Sequence, residues 1–226
     1  MEETSLNEEQ NKLAVMPVKK LLLSLALPAI AAQLVNLLYN MVDRIYIGHI
    51  PGVGSLALTG LGVTLPVLTL VMAFASLVGA GCAPRASIAM GKGDNKAAER
   101  ILGNCVCALG CVGVVLTVVF FVFAEPILYA FGASGDTIVF ALPYMKIYVC
   151  GSVCVLFTTG LNAFITSQGF AAIGMKTVMI GAGLNIILDP VFIFVFGMGV
   201  SGAALATILS QGVSALWVLR FLCGEK

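Results

Sequence analysis

A line of polar side chains runs through one of the most apolar stretches of the sequence, residues 21–50. Gln33, Asn36, Asn40 and Asp43 follow one another at spacings of three, four and three residues. On an α-helix these spacings place all four side chains on one face. A carboxylate inside a bilayer costs roughly 2.5–3.5 kcal/mol on insertion scales. We therefore predict that Asp43 faces a polar partner and has a function.

A second carboxylate lies in a later apolar segment, in the sequence LNIILDP. Asn185 and Asp189 are four residues apart and share a helical face, and Pro190 weakens the helix beside them. Two further apolar segments carry polar residues: Tyr144, Tyr148, Ser152 and Asn162 in one, and Thr207, Ser210, Gln211 and Ser214 in the other. Side chains from these four segments can converge in one internal cavity.

The chemistry of this set is reversible cation binding. Carboxylate, amide and hydroxyl oxygens suit a proton or an alkali cation. Two neighbouring buried aspartates resist simultaneous ionisation, so Asp43 and Asp189 can share one proton. Gaining or losing a cation would change which helix packing is preferred, and an ion-driven transporter requires that coupling.

Simpler roles compete with cation binding. Asp43 would pair with Arg44 at the helix end, although adjacent residues point about 100° apart. Asp189 would only cap a break made by Pro190, and the amides would form ordinary interhelical hydrogen bonds. Lys146 would either extend to the membrane surface or neutralise a carboxylate, and the sequence does not separate these roles.

Membrane-spanning helices must position these residues. Of 226 residues, 60% are hydrophobic and 10% are charged, whereas soluble domains carry about 25% charged residues. Six apolar segments have about the 20 residues that a helix needs to cross a bilayer. The predicted spans are about 21–47, 58–83, 101–124, 137–165, 177–196 and 203–222. No barrel-like alternation is sustained, so the predicted fold class is all-α, a polytopic membrane protein.

Proline and glycine predict the local shape of these spans. Prolines inside spans remove a backbone hydrogen bond and favour a kink; they are Pro28, Pro66, Pro143 and Pro190. Glycines let helices approach closely, and we expect this at Gly103, Gly110 and Gly113, or at Gly181 and Gly183.

Basic residues predict the orientation. Ten of the 12 lie before span one, between spans two and three, before span five, or at and after the end of span six, which is one side of the membrane. The opposite connections hold Glu125, Asp136 and His49. The positive-inside rule then places both termini in the cytoplasm. Residues 1–18 are predicted as a cytoplasmic segment, 19–223 as the six-helix unit and 224–226 as its end. The acidic start argues against a cleaved signal peptide.

Several classes of function are excluded. The formal net charge is +1 without a basic cluster, so no nucleic-acid partner is expected. No nucleophile–base pair, phosphate loop or HExxH motif indicates an enzyme. The seven cysteines lie in or beside apolar runs and are interpreted as reduced apolar side chains. No cofactor is expected beyond a coupling cation.

Seven segments resemble, in order, the multidrug and toxic compound extrusion (MATE) transporters over residues 20–217. They are PAIAAQLVNLLYNMVDRIYIGHI, MGKGDNKAAERIL, AEPILYAFGAS, YMKIYVCG, GLNAFITSQG, LNIILDPVFIF and GVSGAALATILSQ. The bacterial branch with an aspartate in the first helix is the most similar.

The resemblance implies an exporter of organic, often cationic, drugs that exchanges them for H+ or Na+. Such transporters have two six-helix lobes, and this chain is similar to the N-terminal lobe. The implied site for a proton or Na+ is Asp43, Asn185, Asp189 and Thr207. Pro28 matches a proline associated with bending of the first helix. Tyr144, Asn162 and Gln33 match positions near the substrate cavity, and the other cavity candidates are Asn36, Tyr39, Asn40 and Ser210.

The chain departs from the family in length, because it holds one lobe and transport in this fold alternates lobe against lobe. We expect an N-terminal part of a longer transporter, or a half-size chain that pairs with itself or a partner, in a bacterial inner membrane. A lipid-linked sugar flippase or polysaccharide exporter of related fold is an alternative, but it would need a more cationic cavity than Arg44 and Lys146 provide. A channel-like bundle leaves the paired aspartates unexplained.

Overall fold

The computed structural model describes residues 17–224, and nearly all of them are helical. The helices are α1 (Val18–Gly48), α2 (Gly54–Gly91), α3 (Asn95–Val122), α4 (Ala124–Ala130), α5 (Gly135–Cys150), α6 (Ser152–Ser167), α7 (Ala171–Pro190), a π-helix (Val191–Val195) and α8 (Val200–Cys223). No strand occurs within residues 17–224. The predicted all-α fold class is confirmed.

Length and composition allow five or six membrane spans in the described chain. Four are α1, α2, α3 and α8, and a fifth is the continuous segment Ala171–Val195. The pair α5 and α6 passes the same test only as one unit bent by 56°. The sequence predicted one span over 137–165 with a kink favoured at Pro143, whereas the bend lies at Gly151, between the two helices.

The bend between α5 and α6 is held from two sides. Gly151 separates the helices, and the side chain of Ile208 from α8 occupies the space that a Cβ atom there would take. On α3, the Thr117 hydroxyl donates to the carbonyl of Val149 at 3.0 Å and lies 3.1 Å from the Ser152 hydroxyl. Gly151, which has no Cβ atom, and the Thr117 hydroxyl of α3 together fix the break.

Helix α1 is the most peripheral of the long helices. It packs mainly against α7, while α2 packs against α6 and α3, and α8 against α7, α6 and α5. Only Asp43 and Ile47 of α1 are buried. Large apolar side chains on the rest of the helix are exposed, such as Leu37 at 67%. Only the C-terminal end of α1 therefore enters the core.

A close crossing between α2 and α6 lies in the middle of the bundle. A Cβ atom on Gly79 would lie 2.8 Å from the carbonyl oxygen of Gly160. Two of the expected glycine contacts are also present, because Gly113 faces Val153 and Gly181 faces the Ser214 hydroxyl. Three other glycines do not make the close helix contact that was expected of them. A Cβ atom on Gly103 or Gly183 would meet nothing within 4 Å, and one on Gly110 would make only an ordinary contact at 3.9 Å.

Helix α7 changes character directly after the second aspartate. Pro190 ends the α-helix, and the following five residues form the π-helix, in which the amide of Phe196 donates to the carbonyl of Val191 at 2.9 Å. Proline removes one donor from the helix, and a single π turn is a common way to accommodate such a break. Helices α1, α2 and α5 continue through Pro28, Pro66 and Pro143.

Candidate cation site

The polar line of α1 leads from an exposed face to a buried end. Gln33 and Asn40 are exposed, Asn36 is half-buried and Asp43 is only 8% exposed. The Asn36 amide donates to Gln33 Oε1 at 3.4 Å, and the Asn40 amide donates to the backbone carbonyl of Asn36 at 2.7 Å. The amides thus bond within the helix, while the carboxylate of Asp43 points into the core.

Asp189 on α7 is the most deeply buried charged residue of the site. It is 0% exposed, and Asn185, one turn before it, is 2% exposed. The Asn185 amide donates to Asp189 Oδ1 at 3.1 Å and approaches Thr207 Oγ1 on α8 at 3.4 Å. The four-residue spacing read from the sequence therefore produces a direct contact, and α8 adds a third polar group to it.

The carboxyl groups of Asp43 and Asp189 face each other across the contact between α1 and α7. They are near enough to share a hydrogen bond when one of them carries a proton. Within the described chain, Asp43 Oδ1, Asp189 Oδ2 and Asn185 Oδ1 are buried and have no hydrogen-bond partner. Buried polar atoms are normally paired, so these three oxygens leave a place for a cation.

Tyr39 and Tyr144 lie near the two carboxyl groups, and Tyr148 packs behind Tyr144. Tyr144 on α5 is 4% exposed and lies within electrostatic range of Asp43, Asp189 and Tyr39. Its ring stacks on Tyr148 with centroids 6.3 Å apart and an angle of 13° between the rings. The sequence placed Tyr148 only among the polar residues of its span. The spacing of Tyr144 and Tyr148 was the one signal that they share a face.

The end of α1 is fixed to the π-helix by an aromatic pair that the sequence did not predict. The rings of Tyr46 and Phe194 meet edge to face, with centroids 6.2 Å apart and an angle of 81°. Tyr46 follows Asp43 by three residues, and Phe194 follows Asp189 by five. This ring contact therefore joins α1 to the segment that follows Asp189, in addition to the contact between the two carboxyl groups.

Two other predicted site residues lie away from this cluster. The Asn162 amide donates to the carbonyl of Gly174 at 3.3 Å. Gly174 lies eleven residues, or roughly 16 Å of helix, before Asn185. Ser210 is buried on α8, one turn from Thr207, where its backbone carbonyl lies near Gly181. The four segments therefore do not form one compact polar set: α5 brings Tyr144 near the two aspartates, and α8 reaches Asn185 through Thr207.

Two simpler interpretations can now be compared with the geometry. Arg44 is exposed and acts on Asp43 only through its charge, without an ion pair in the described chain. Lys146 is half-buried, with its ammonium group 5.4 Å from the centre of the Phe121 ring, a cation–π arrangement. Both basic residues inside the spans are therefore placed without an ion pair to either aspartate.

The donor set fits a proton or a hard monovalent cation. The side chains of Asp43, Asn185, Asp189 and Thr207 supply carboxylate, amide and hydroxyl oxygens, the hard ligands that suit such a cation. Among residues 17–224 there is no group of three or more His, Cys, Asp or Glu side chains that could hold a metal ion. All seven cysteines are free thiols.

Comparison with known proteins places this geometry in a family. The chain is 28% identical over 205 residues to the multidrug export protein MepA of Staphylococcus aureus (strain MSSA476), covering 91% of this chain and 45% of MepA. Crystal structures of MATE in the straight and bent conformations match with TM-scores of 0.84 and 0.83, at 28% and 29% identity. Each match covers 91% of this chain and 45% of the solved one. The chain thus spans about half the length of these relatives.

The family model covers three of the four residues of the candidate cation site. It matches residues 28–191, from the proline of α1 through Asp43, Asn185 and Asp189 to the first residue of the π-helix. Because this match takes in well over half of the 226 residues, the chain belongs to the MatE family.

Proposed function

We propose that this chain is the N-terminal lobe of a multidrug efflux antiporter that exchanges organic, often cationic, drugs for H+ or Na+. One observation carries the proposal. Two buried carboxyl groups face each other from α1 and α7, and one oxygen of each, together with Asn185 Oδ1, has no hydrogen-bond partner within the described chain. Relatives that are multidrug export proteins support the transport function.

The cation acts through the packing of α1 on α7. When the site is empty of protons and Na+, two like charges oppose each other in a desolvated place, which costs free energy. A bound cation removes this repulsion and draws α1 towards α7. Because α1 has few other contacts, the cation changes the position of α1 with little cost elsewhere. Pro28 lies fifteen residues before Asp43 and gives α1 a point at which to bend.

Drug binding is assigned to the open face of the lobe. Gln33 and Asn40 are exposed, and Asn36 and Tyr39 are half-buried on the same helix, so these amides and the ring form a wall rather than a closed pocket. A second six-helix lobe would form the opposite wall, either from a longer chain or from a second copy. The basic ends of the helices would face the cytoplasm of a bacterial cell.

Cation binding by the purified chain tests the proposal directly. Binding of radioactive Na+ and uptake of protons are measured in detergent for the wild type, Asp43→Asn and Asp189→Asn. Both substitutions keep the side-chain shape and remove a charge, so we expect each to lose cation binding. Asp136→Asn is the matched control, because Asp136 is exposed in the first turn of α5. Wild-type cation binding in both site variants would refute the proposal.

A transport assay separates a single lobe from a half-size transporter. Efflux of a fluorescent organic cation is measured from cells that express these 226 residues, beside cells that express Asp43→Asn. Efflux that depends on Asp43 would mean that two copies pair to form the exporter. Inserted protein that binds the cation but does not export would mean that a different second lobe is needed.

A further inference from the structure

A second site lies at the other end of the bundle, where α2 passes into α3. A cavity of about 610 Å³ opens there, and its lining includes Arg85, Lys92, Asp94, Asn104, Ile88 and Ile101. The sequence placed residues 84–100 in a loop, but α2 continues to Gly91. One wall of the cavity is therefore a rigid helix that carries Arg85 at its base.

The charges in this cavity favour an anion. Neither Arg85 nor Lys92 forms an ion pair with another residue of the described chain. Asp94 is the acidic side chain of the lining, and its Oδ1 accepts a hydrogen bond at 3.0 Å from the amide of Ala97 as the N-cap of α3. One carboxylate oxygen is thus already used, while both cationic groups remain available.

The cavity extends outwards from the predicted edge of the hydrocarbon. The predicted apolar span ends at residue 83, so the last eight residues of α2 extend roughly 12 Å beyond it. The headgroup region on each side is about 5–8 Å thick. Arg85 then lies at the edge of the hydrocarbon, and the backbone of the exposed Lys92 lies about 10 Å farther out, from where its long side chain can reach back towards the headgroups. Cys82 and Ile101, at the ends of the two predicted spans, line the cavity on the hydrocarbon side.

We propose that this cavity binds an anionic phospholipid, with the headgroup between Arg85 and Lys92 and an acyl chain against Cys82 and Ile101. Basic pockets between membrane helices are a known mode of headgroup binding. The cavity is far larger than one phosphate ion and is lined mostly by apolar atoms, which favours a lipid over free phosphate. Cation coupling does not enter this proposal, so the two can fail separately.

Native mass spectrometry of the purified chain tests the lipid site. The protein is incubated with phosphatidylglycerol or phosphatidylcholine, and retained lipid is counted. We expect wild-type protein to prefer phosphatidylglycerol and the double variant Arg85→Gln, Lys92→Gln to bind it roughly 30-fold more weakly, the effect of two lost basic residues. The matched control is Lys96→Gln, Arg100→Gln, which removes two exposed basic residues that are not in the cavity lining.

A third variant keeps the test decisive if the double variant does not fold. Asp94→Asn retains a capping oxygen and removes the negative charge, so phosphatidylglycerol should bind about 5-fold more tightly. Equal lipid binding by wild type, the double variant and Asp94→Asn would overturn the proposal. An equal loss in the control variant would also overturn it, because the effect would then be general surface charge. Displacement of the lipid by inorganic phosphate would assign the site to free phosphate instead.

Discussion

The crossing of α2 and α6 makes a quantitative prediction for Gly79→Ala. The new Cβ atom would lie 2.8 Å from the carbonyl oxygen of Gly160 and 3.1 Å from its Cα atom. Moving the first distance to an ordinary contact of 3.4 Å requires the two backbones to separate by about 0.6 Å. Neither backbone can escape by changing a rotamer, so the helices themselves must move.

The expected cost follows from this clash. Overpacking of a well-packed core typically costs about 1–3 kcal/mol, whereas alanine is intrinsically better in a helix than glycine by up to about 1 kcal/mol. Gly81→Ala isolates the second effect, because a Cβ atom at Gly81 meets nothing within 4 Å. We expect Gly81→Ala to be neutral or stabilising and Gly79→Ala to be less stable than it by about 1–3 kcal/mol.

Reversible unfolding in mixed micelles, followed by far-UV circular dichroism, measures this difference. Gly160→Ala provides an internal comparison, since its closest contact is the flexible end of Leu109, at 2.8 Å, and its backbone contact with Ala75 is longer, at 3.3 Å. It should therefore fall between the other two variants. Equal unfolding midpoints for Gly79→Ala and Gly81→Ala would refute the close crossing.

Two further substitutions test the bend and the cation site. Thr117→Val removes the hydroxyl that donates to the carbonyl of Val149 and should lower the free energy of unfolding by about 1 kcal/mol. Thr59→Val is the control, because it loses only a hydrogen bond within its own helix and should leave stability unchanged. Equal thermal midpoints for the two variants would count against a role for Thr117 in the bend. Asn185→Ala removes Asn185 Oδ1, a buried oxygen without a hydrogen-bond partner in the described chain, and should weaken Na+ binding roughly 10- to 100-fold, since contacts of a polar group with a charged group are worth about 1.5–3 kcal/mol. Thr207→Val loses only the longer contact at 3.4 Å and should have a smaller effect; unchanged binding in Asn185→Ala would contradict the assigned geometry.

The sequence predicted the fold class and the burial of Asp43 and Asp189, because both follow from local patterns. Long apolar runs specify membrane helices without reference to the rest of the chain. Asp43 and Asp189 stood out because a carboxylate in such a run is costly. The contact between Asn185 and Asp189 also came from spacing alone. The structure adds the partner on α8 and the pairing of α1 with α7, which depend on tertiary packing.

The breaks in the helices were predicted less well. Proline suggested kinks in four spans; the helix ends as an α-helix only at Pro190, and α1, α2 and α5 continue through Pro28, Pro66 and Pro143. The sharp bend instead occurs at Gly151, where Ile208 and Thr117 come from distant parts of the sequence. The glycine crossing at Gly79 was missed for the same reason. Neither glycine nor proline carries information about which helix faces it.

The π-helix after Asp189 has a consequence for the rotational register of the segment. Its hydrogen bond from residue 196 to residue 191 encloses one residue more than an α-helical turn. Closing this turn to the α-helical pattern would rotate every residue beyond it by about 100° and shift it about 1.5 Å along the axis. Phe194 would then leave Tyr46. One backbone turn thus sets the angular position of the aromatic contact that holds the end of α1, beside the carboxyl groups of the candidate cation site.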